Sequence, residues 1–131
     1  MYLLDTNICI YIINQHPIQV VNRIKQYKPS QIKLSAISVG ELLYGVAKSK
    51  NREQNRNALV DFISAFDIVA FDDDDAEIFG IVRADLERKG QIIGSYDMQI
   101  AAQALAKNLI LVTNNTGEFE RIPNLKLDNW I

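Results

Sequence analysis

Tyr2-Leu3-Leu4-Asp5-Thr6-Asn7 decides the fold. Three apolar residues are too few for a helix, and they run straight into residues that favour turns and helix caps. The pattern predicts a buried strand feeding a helix over about residues 7–14, with Asp5 at the strand's C-terminal end. The same unit recurs along the chain. Pro17 opens a helix that ends before Lys28-Pro29-Ser30, and residues 32–34 read as a second strand. Ser35 or Ser38 caps the next helix, whose apolar face carries Val39, Leu42, Leu43 and Val46. Leu59, Phe62, Ile63 and Phe66 mark one face of a helix between about residues 51 and 66, and residues 68–71 a third strand. Asp72 to Asp75 start a helix that Gly90 stops, a further helix runs from Tyr96 to about Lys107, and residues 109–112 and 125–127 supply the last strands. Strands alternating with helices predict an α/β fold over residues 1–131: a central, mainly parallel sheet of four or five strands with helices on both faces.

The 131 residues are 48% hydrophobic and 23% charged, enough for one core and unlike a disordered chain. A single cysteine, Cys9, excludes an internal disulfide and a thiolate zinc site. Asp5 interrupts the first apolar run and no basic stretch precedes it, so the sequence predicts no signal peptide, no membrane span and a cytoplasmic location. The net charge of -2 hides an asymmetry. Residues 21–57 hold eight basic side chains against Glu41 and Glu53, whereas residues 58–97 hold ten acidic ones against Arg83, Arg88 and Lys89. A basic face beside an acidic site suits a polyanion whose cleavage needs metal, although a solvated surface explains the same charges.

Ligands of parallel sheets bind beyond the carboxyl ends of the strands. Asp5 follows the first strand, Glu41 lies on the helix after the second, Asp97 opens an apolar helix, and Thr113-Asn114-Asn115 follows the fourth strand. Taken singly, Asp5 reads as a helix cap and Asp97 as a dipole partner. Glu41 is the outlier, an acid among Ile37, Val39, Leu42 and Leu43. Convergent carboxylates without a histidine or cysteine partner suit Mg²⁺ or Mn²⁺, and the matching chemistry is phosphodiester hydrolysis. His16, the only histidine, reads as a solvated loop residue, and the Asp72–Asp75 run as a helix start.

At these residues the sequence resembles the PIN-domain ribonucleases, and among them the VapC toxins of bacterial toxin–antitoxin pairs. The resemblance covers nearly the whole chain, through LLDTN at Leu3–Asn7, ISVGELLYGV at Ile37–Val46, IGSYDMQIAAQAL at Ile93–Leu105 and LVTNNTGEFERIPNL at Leu111–Leu125. It implies a Mg²⁺- or Mn²⁺-dependent endoribonuclease with catalytic and metal-ligating acids at Asp5, Glu41 and Asp97, and with Thr6, Thr113, Asn115 and Glu118 in support. It implies an RNA substrate, in similar toxins the anticodon stem-loop of initiator transfer RNA, a homodimer, and a cognate antitoxin that blocks the site. Many PIN domains carry a fourth acid where this chain has Asn115, which leaves one or two metal ions open. Two rivals remain: a catalytically weakened PIN fold that keeps only antitoxin binding, and an aspartyl-nucleophile phosphatase, which wants a second acid where Asn7 stands.

Overall fold

A computed structural model describes all 131 residues. Strand β1 (Tyr2–Leu4) leads into helix α1 (Thr6–Asn14), then α2 (Ile18–Ile24) and a 3-10 turn at Pro29–Gln31. Next come β2 (Ile32–Ser35), α3 (Ala36–Ala47), α4 (Arg52–Ile63) and β3 (Asp67–Val69). The second half holds α5 (Asp73–Arg88), α6 (Ser95–Ala106), β4 (Ile110–Val112), α7 (Thr116–Phe119) and β5 (Leu127–Asp128). The five strands form one sheet in the order β3-β2-β1-β4-β5, every pair parallel. The chain builds outward from β1 on one side and then returns to add β4 on the other, so the strand order reverses between β1 and β4.

The pleat divides the core. Leu3 and Leu111 face a cluster with Leu86 and Met98 from α5 and α6, while their neighbours Leu4 and Val112 face a second cluster with Ile8, Leu34, Leu42 and Leu59. Side chains of period two thus bury the sheet on both faces, which is the layered arrangement the alternation predicts.

Four details differ from the sequence-based expectations. Helix α4 ends at Ile63, because Ala65 and Phe66 take tighter bonds to Phe62 and Ile63. Phe66 still packs at a tilt against Phe62, ring centroids 5.2 Å apart, so the apolar spacing holds one turn beyond the helix. Strand β3 starts at Asp67 and leaves Phe71 outside the sheet, edge-on to Phe79 at 6.5 Å. The four-residue α7 is too short for its periodicity to be seen. Strand β5 falls at Leu127–Asp128, shifted from the expected residues 125–127. The apolar face carrying Leu42, Leu43 and Val46 packs in part against Leu59, Phe62 and Ile63 of the same chain.

Asp72 and Asp75 form a capping box: each backbone N–H meets the other's carboxylate, and Lys107 reaches both. Arg83 and Lys89 pair with Glu87 and Asp85 along α5, as a solvated helix face does. His16 is exposed. No helix is long and apolar enough to cross a membrane.

Candidate active site

Leu4 pairs with Leu34 on one side and Val112 on the other, so the next residues of the three central strands, Asp5, Ser35 and Thr113, emerge together at the sheet's carboxyl edge. All three are buried. This edge lies at the reversal between β1 and β4, where parallel sheets open a crevice for ligands.

Asp5 caps α1, its Oδ1 accepting from Ile8 N–H at 2.9 Å. Burial pushes its carboxyl above the ordinary carboxylate range, Thr113 and the backbone of Ile8 and Asn7 pull the other way, and the Glu41 charge raises it again. Glu41 projects from the second turn of α3. The Thr6 hydroxyl donates to Glu41 Oε1 at 2.7 Å and stands 3.0 Å from Ser38 Oγ. A hydroxyl has one proton, so Ser38 donates to Thr6 and Thr6 to the carboxylate.

Asp97 lies in the first turn of α6, half-buried, its carboxylate turned back over Gly94. A Cβ at Gly94 would meet Asp97 Oδ2 at 3.5 Å, an ordinary contact. The Asp97 carboxyl is pushed up to about 6, first by desolvation and then by the charges of Asp5, Glu41 and Glu118. The structure therefore brings Asp5, Glu41, Asp97 and Glu118 into one electrostatic neighbourhood. Thr113 accepts the backbone N–H of Asn115, and the Asn115 side-chain amide donates to Glu118 Oε2 at 2.9 Å. Asn115 does not replace the missing fourth acid; it holds Glu118, whose charge reaches Asp97.

The donor set suits a hard divalent cation. No lysine, arginine or histidine pairs with Asp5, Glu41 or Asp97. Glu41 commits one oxygen to the Thr6 hydroxyl, and Asp5 commits Oδ1 to the Ile8 N–H. No group of three acidic side chains is close enough, as placed, to hold an ion between them. Mutual repulsion among desolvated carboxylates is the reason a cation would be favoured there.

Ser35, one of the two caps the sequence offered, and Gln103, which the sequence did not single out, position the site. Ser35 caps α3 through Ile37 N–H, and its hydroxyl also bonds buried Gln103 of α6, whose amide donates to Val69 O. This buried polar link fixes α6, and with it Asp97, against the sheet. A glutamine inside an alanine-rich apolar helix was the available signal.

The fold and the site together define a PIN domain: the PIN domain family matches residues 2–125, and the chain belongs to that family. Its VapC members are the near relatives. The chain is 48% identical to ribonuclease VapC2 of Rickettsia felis over 131 residues, spanning 99% of this chain and 98% of that one. It is 38% identical to the tRNA(fMet)-specific endonuclease VapC of Shigella flexneri, spanning 98% and 97%. Among solved structures, VapBC2 of Rickettsia felis bound to a promoter DNA fragment matches with a TM-score of 0.93 at 47% identity, over 99% of this chain and 98% of that one. The DNA-bound VapBC of Salmonella typhimurium gives the same TM-score at 38% identity, with the same coverage.

Proposed function

We propose that the protein is the toxin of a cytoplasmic toxin–antitoxin pair, a divalent-metal-dependent endoribonuclease whose catalytic acids are Asp5, Glu41 and Asp97. The observation that carries this reading is the placement of Asp5, Glu41 and Asp97 about the crevice at the sheet's carboxyl edge, none of them paired to a cationic side chain. Burial first, and then the charges of Asp5, Glu41 and Glu118, push the Asp97 carboxyl up to about 6. Relatives named as ribonucleases, one of them specific for tRNA(fMet), support an RNA substrate and make a structured tRNA loop the first substrate to try.

Asp5, Glu41 and Asp97 would hold Mg²⁺ or Mn²⁺. When bound, the ion supplies charge neutralisation for the phosphate and a more acidic water. Asp5 offers a carboxylate fixed by the first turn of α1, so its orientation is set before substrate arrives. Thr6 orients Glu41, and Ser35 with Gln103 fixes the helix that carries Asp97. Asn115 holds Glu118 at the same rim. There is no histidine pair for the route through the 2′-hydroxyl, and the products expected are a 5′-phosphate and a 3′-hydroxyl.

An antitoxin partner is supported by the VapBC complexes among the structural relatives. A groove of about 360 Å³ between α1, α3 and α4 begins at Thr6 and Glu41 and runs over Ile10, Ile13, Val46 and Leu59. An antitoxin tail fits it with apolar anchors in the groove and a basic side chain at the acids.

End-group analysis of RNA cut by the purified protein tests the proposal. Cleavage that needs Mg²⁺ or Mn²⁺, stops in EDTA and leaves a 5′-phosphate is expected. A 2′,3′-cyclic phosphate, or cleavage undiminished by EDTA, would refute it.

A further inference from the structure

A second cavity of about 880 Å³ opens from Thr6 and Glu41 in a different direction, toward Tyr44 and Lys48 of α3 and Tyr96 of α6. Tyr44 is 66% exposed and Tyr96 58%, the only tyrosine, phenylalanine or tryptophan side chains among the exposed large hydrophobic residues. Lys48 Nζ sits 4.9 Å from the Tyr44 ring centroid. Tyr96 adjoins Asp97 in sequence, and Tyr44 lies one helical turn from Glu41, so each ring rides on an element that carries a catalytic acid.

From this placement, and resting on the ribonuclease reading above, we infer that Tyr44 and Tyr96 form a subsite that stacks an unpaired base of the RNA next to the scissile phosphate. Exposed aromatic faces beside a basic side chain are how proteins hold single-stranded nucleic acid without reading its sequence, and stacking on such a face discriminates an unpaired base from a paired one. The surrounding charge fits the same occupant. Lys48, Lys50, Arg52 and Arg56 follow in order along the end of α3 and the start of α4, all are exposed, and none is paired to an acid, whereas Arg23 and Lys33 of the same basic stretch are. A protein partner would find this rim unneutralised; a phosphate backbone leaving the cavity would run along it. Such a subsite would favour a loop over a duplex, because a paired base cannot reach the ring faces while it remains in its helix.

Steady-state cleavage of a short RNA hairpin by the full chain tests the inference, using an intact loop and loops made abasic at one nucleotide on either side of the cut. For the wild type, one abasic position should raise KM about tenfold, the usual scale of one base stacked on an aromatic ring. Tyr44→Ala and Tyr96→Ala should raise KM on the intact hairpin by a similar factor and lose the abasic penalty. Tyr44→Phe and Tyr96→Phe should keep both near wild type, because the ring and not the hydroxyl stacks. Alanine variants with unchanged KM and an unchanged abasic penalty would overturn the subsite, and if they also changed sedimentation the tyrosines belong to a protein interface instead. A wild-type protein that cleaves no RNA would overturn the ribonuclease reading itself, and the subsite with it.

Discussion

Thr6 Oγ1 donates a 2.7 Å hydrogen bond to Glu41 Oε1, joining two side chains 35 positions apart across the crevice between α1 and α3. Without it, nothing else in the structure fixes the rotamer of Glu41 by a hydrogen bond. Thr6 does not cap its helix, since Asp5 does. Thr6→Val should therefore leave the fold intact and lower kcat/KM roughly tenfold, the scale of one hydrogen bond to a charged group, while Thr6→Ser keeps most of the activity. Circular dichroism alongside cleavage rates checks both halves.

Asp97 predicts a pH dependence with a definite sign. Its folded carboxyl titrates near 6 against an ordinary value of 3.8, so the folded protein binds this proton more tightly than the unfolded chain. Stability from this group is present at low pH and is lost as pH rises from about 4 to about 6. In metal-free buffer, Asp97→Asn should melt a few degrees above wild type at pH 7, roughly 3 °C, with the difference closing below pH 4. Thermal scans across that range test it. The same ionisation makes the stabilisation by Mn²⁺ grow between pH 5 and pH 7.

Lys107 is the ion-pair partner of the fully buried Asp75 carboxylate and also reaches Asp72. Lys107→Met would strand Asp75 without a counter-charge, a loss on the order of 3 kcal/mol. Urea unfolding should show that loss, while cleavage per folded molecule stays at the wild-type rate because the pair lies outside the acidic crevice.

Trp130 closes the second core cluster, 3% exposed, stacked on Tyr27 at 5.4 Å and donating its indole N–H to Asp128 at 3.1 Å. Arg23 meets the same Asp128 oxygen at 3.2 Å. Trp130→Ala should cost about 3 kcal/mol in chemical denaturation.

Local signals carried most of the fold. Tyr2 to Asn7 and the faces of α3, α4 and α5 were legible because each depends on neighbours a few positions away. The end of α4 and the bounds of β3 were not, since Phe66 packs on Phe62 and Phe71 on Phe79, and the four-residue α7 is too short to show a period. Asp5, Glu41 and Asp97 could be named from position and family resemblance, and the charges of Asp5 and Glu41 reach Asp97. What joins them was hidden: Thr6 with Glu41, Ser35 with Gln103 and Asn115 with Glu118 all depend on how α1, α3, α6 and α7 meet at one edge. Asn115 shows the limit, because as a letter it suggested a lost acid and in three dimensions it holds one.

The central claim is that Asp5, Glu41 and Asp97 act together as the metal-holding acids of a nuclease. Calorimetric titration of Mn²⁺ into the wild type and into Asp5→Asn, Glu41→Gln and Asp97→Asn, at pH 7.5 with RNA cleavage measured on the same samples, tests it most directly. Each amide keeps the shape of its acid, and Asn at position 5 remains a good helix cap, so the folds should survive. The account predicts that every variant loses at least tenfold in Mn²⁺ affinity and loses cleavage with it. A folded variant that binds Mn²⁺ and cuts RNA like the wild type would contradict it.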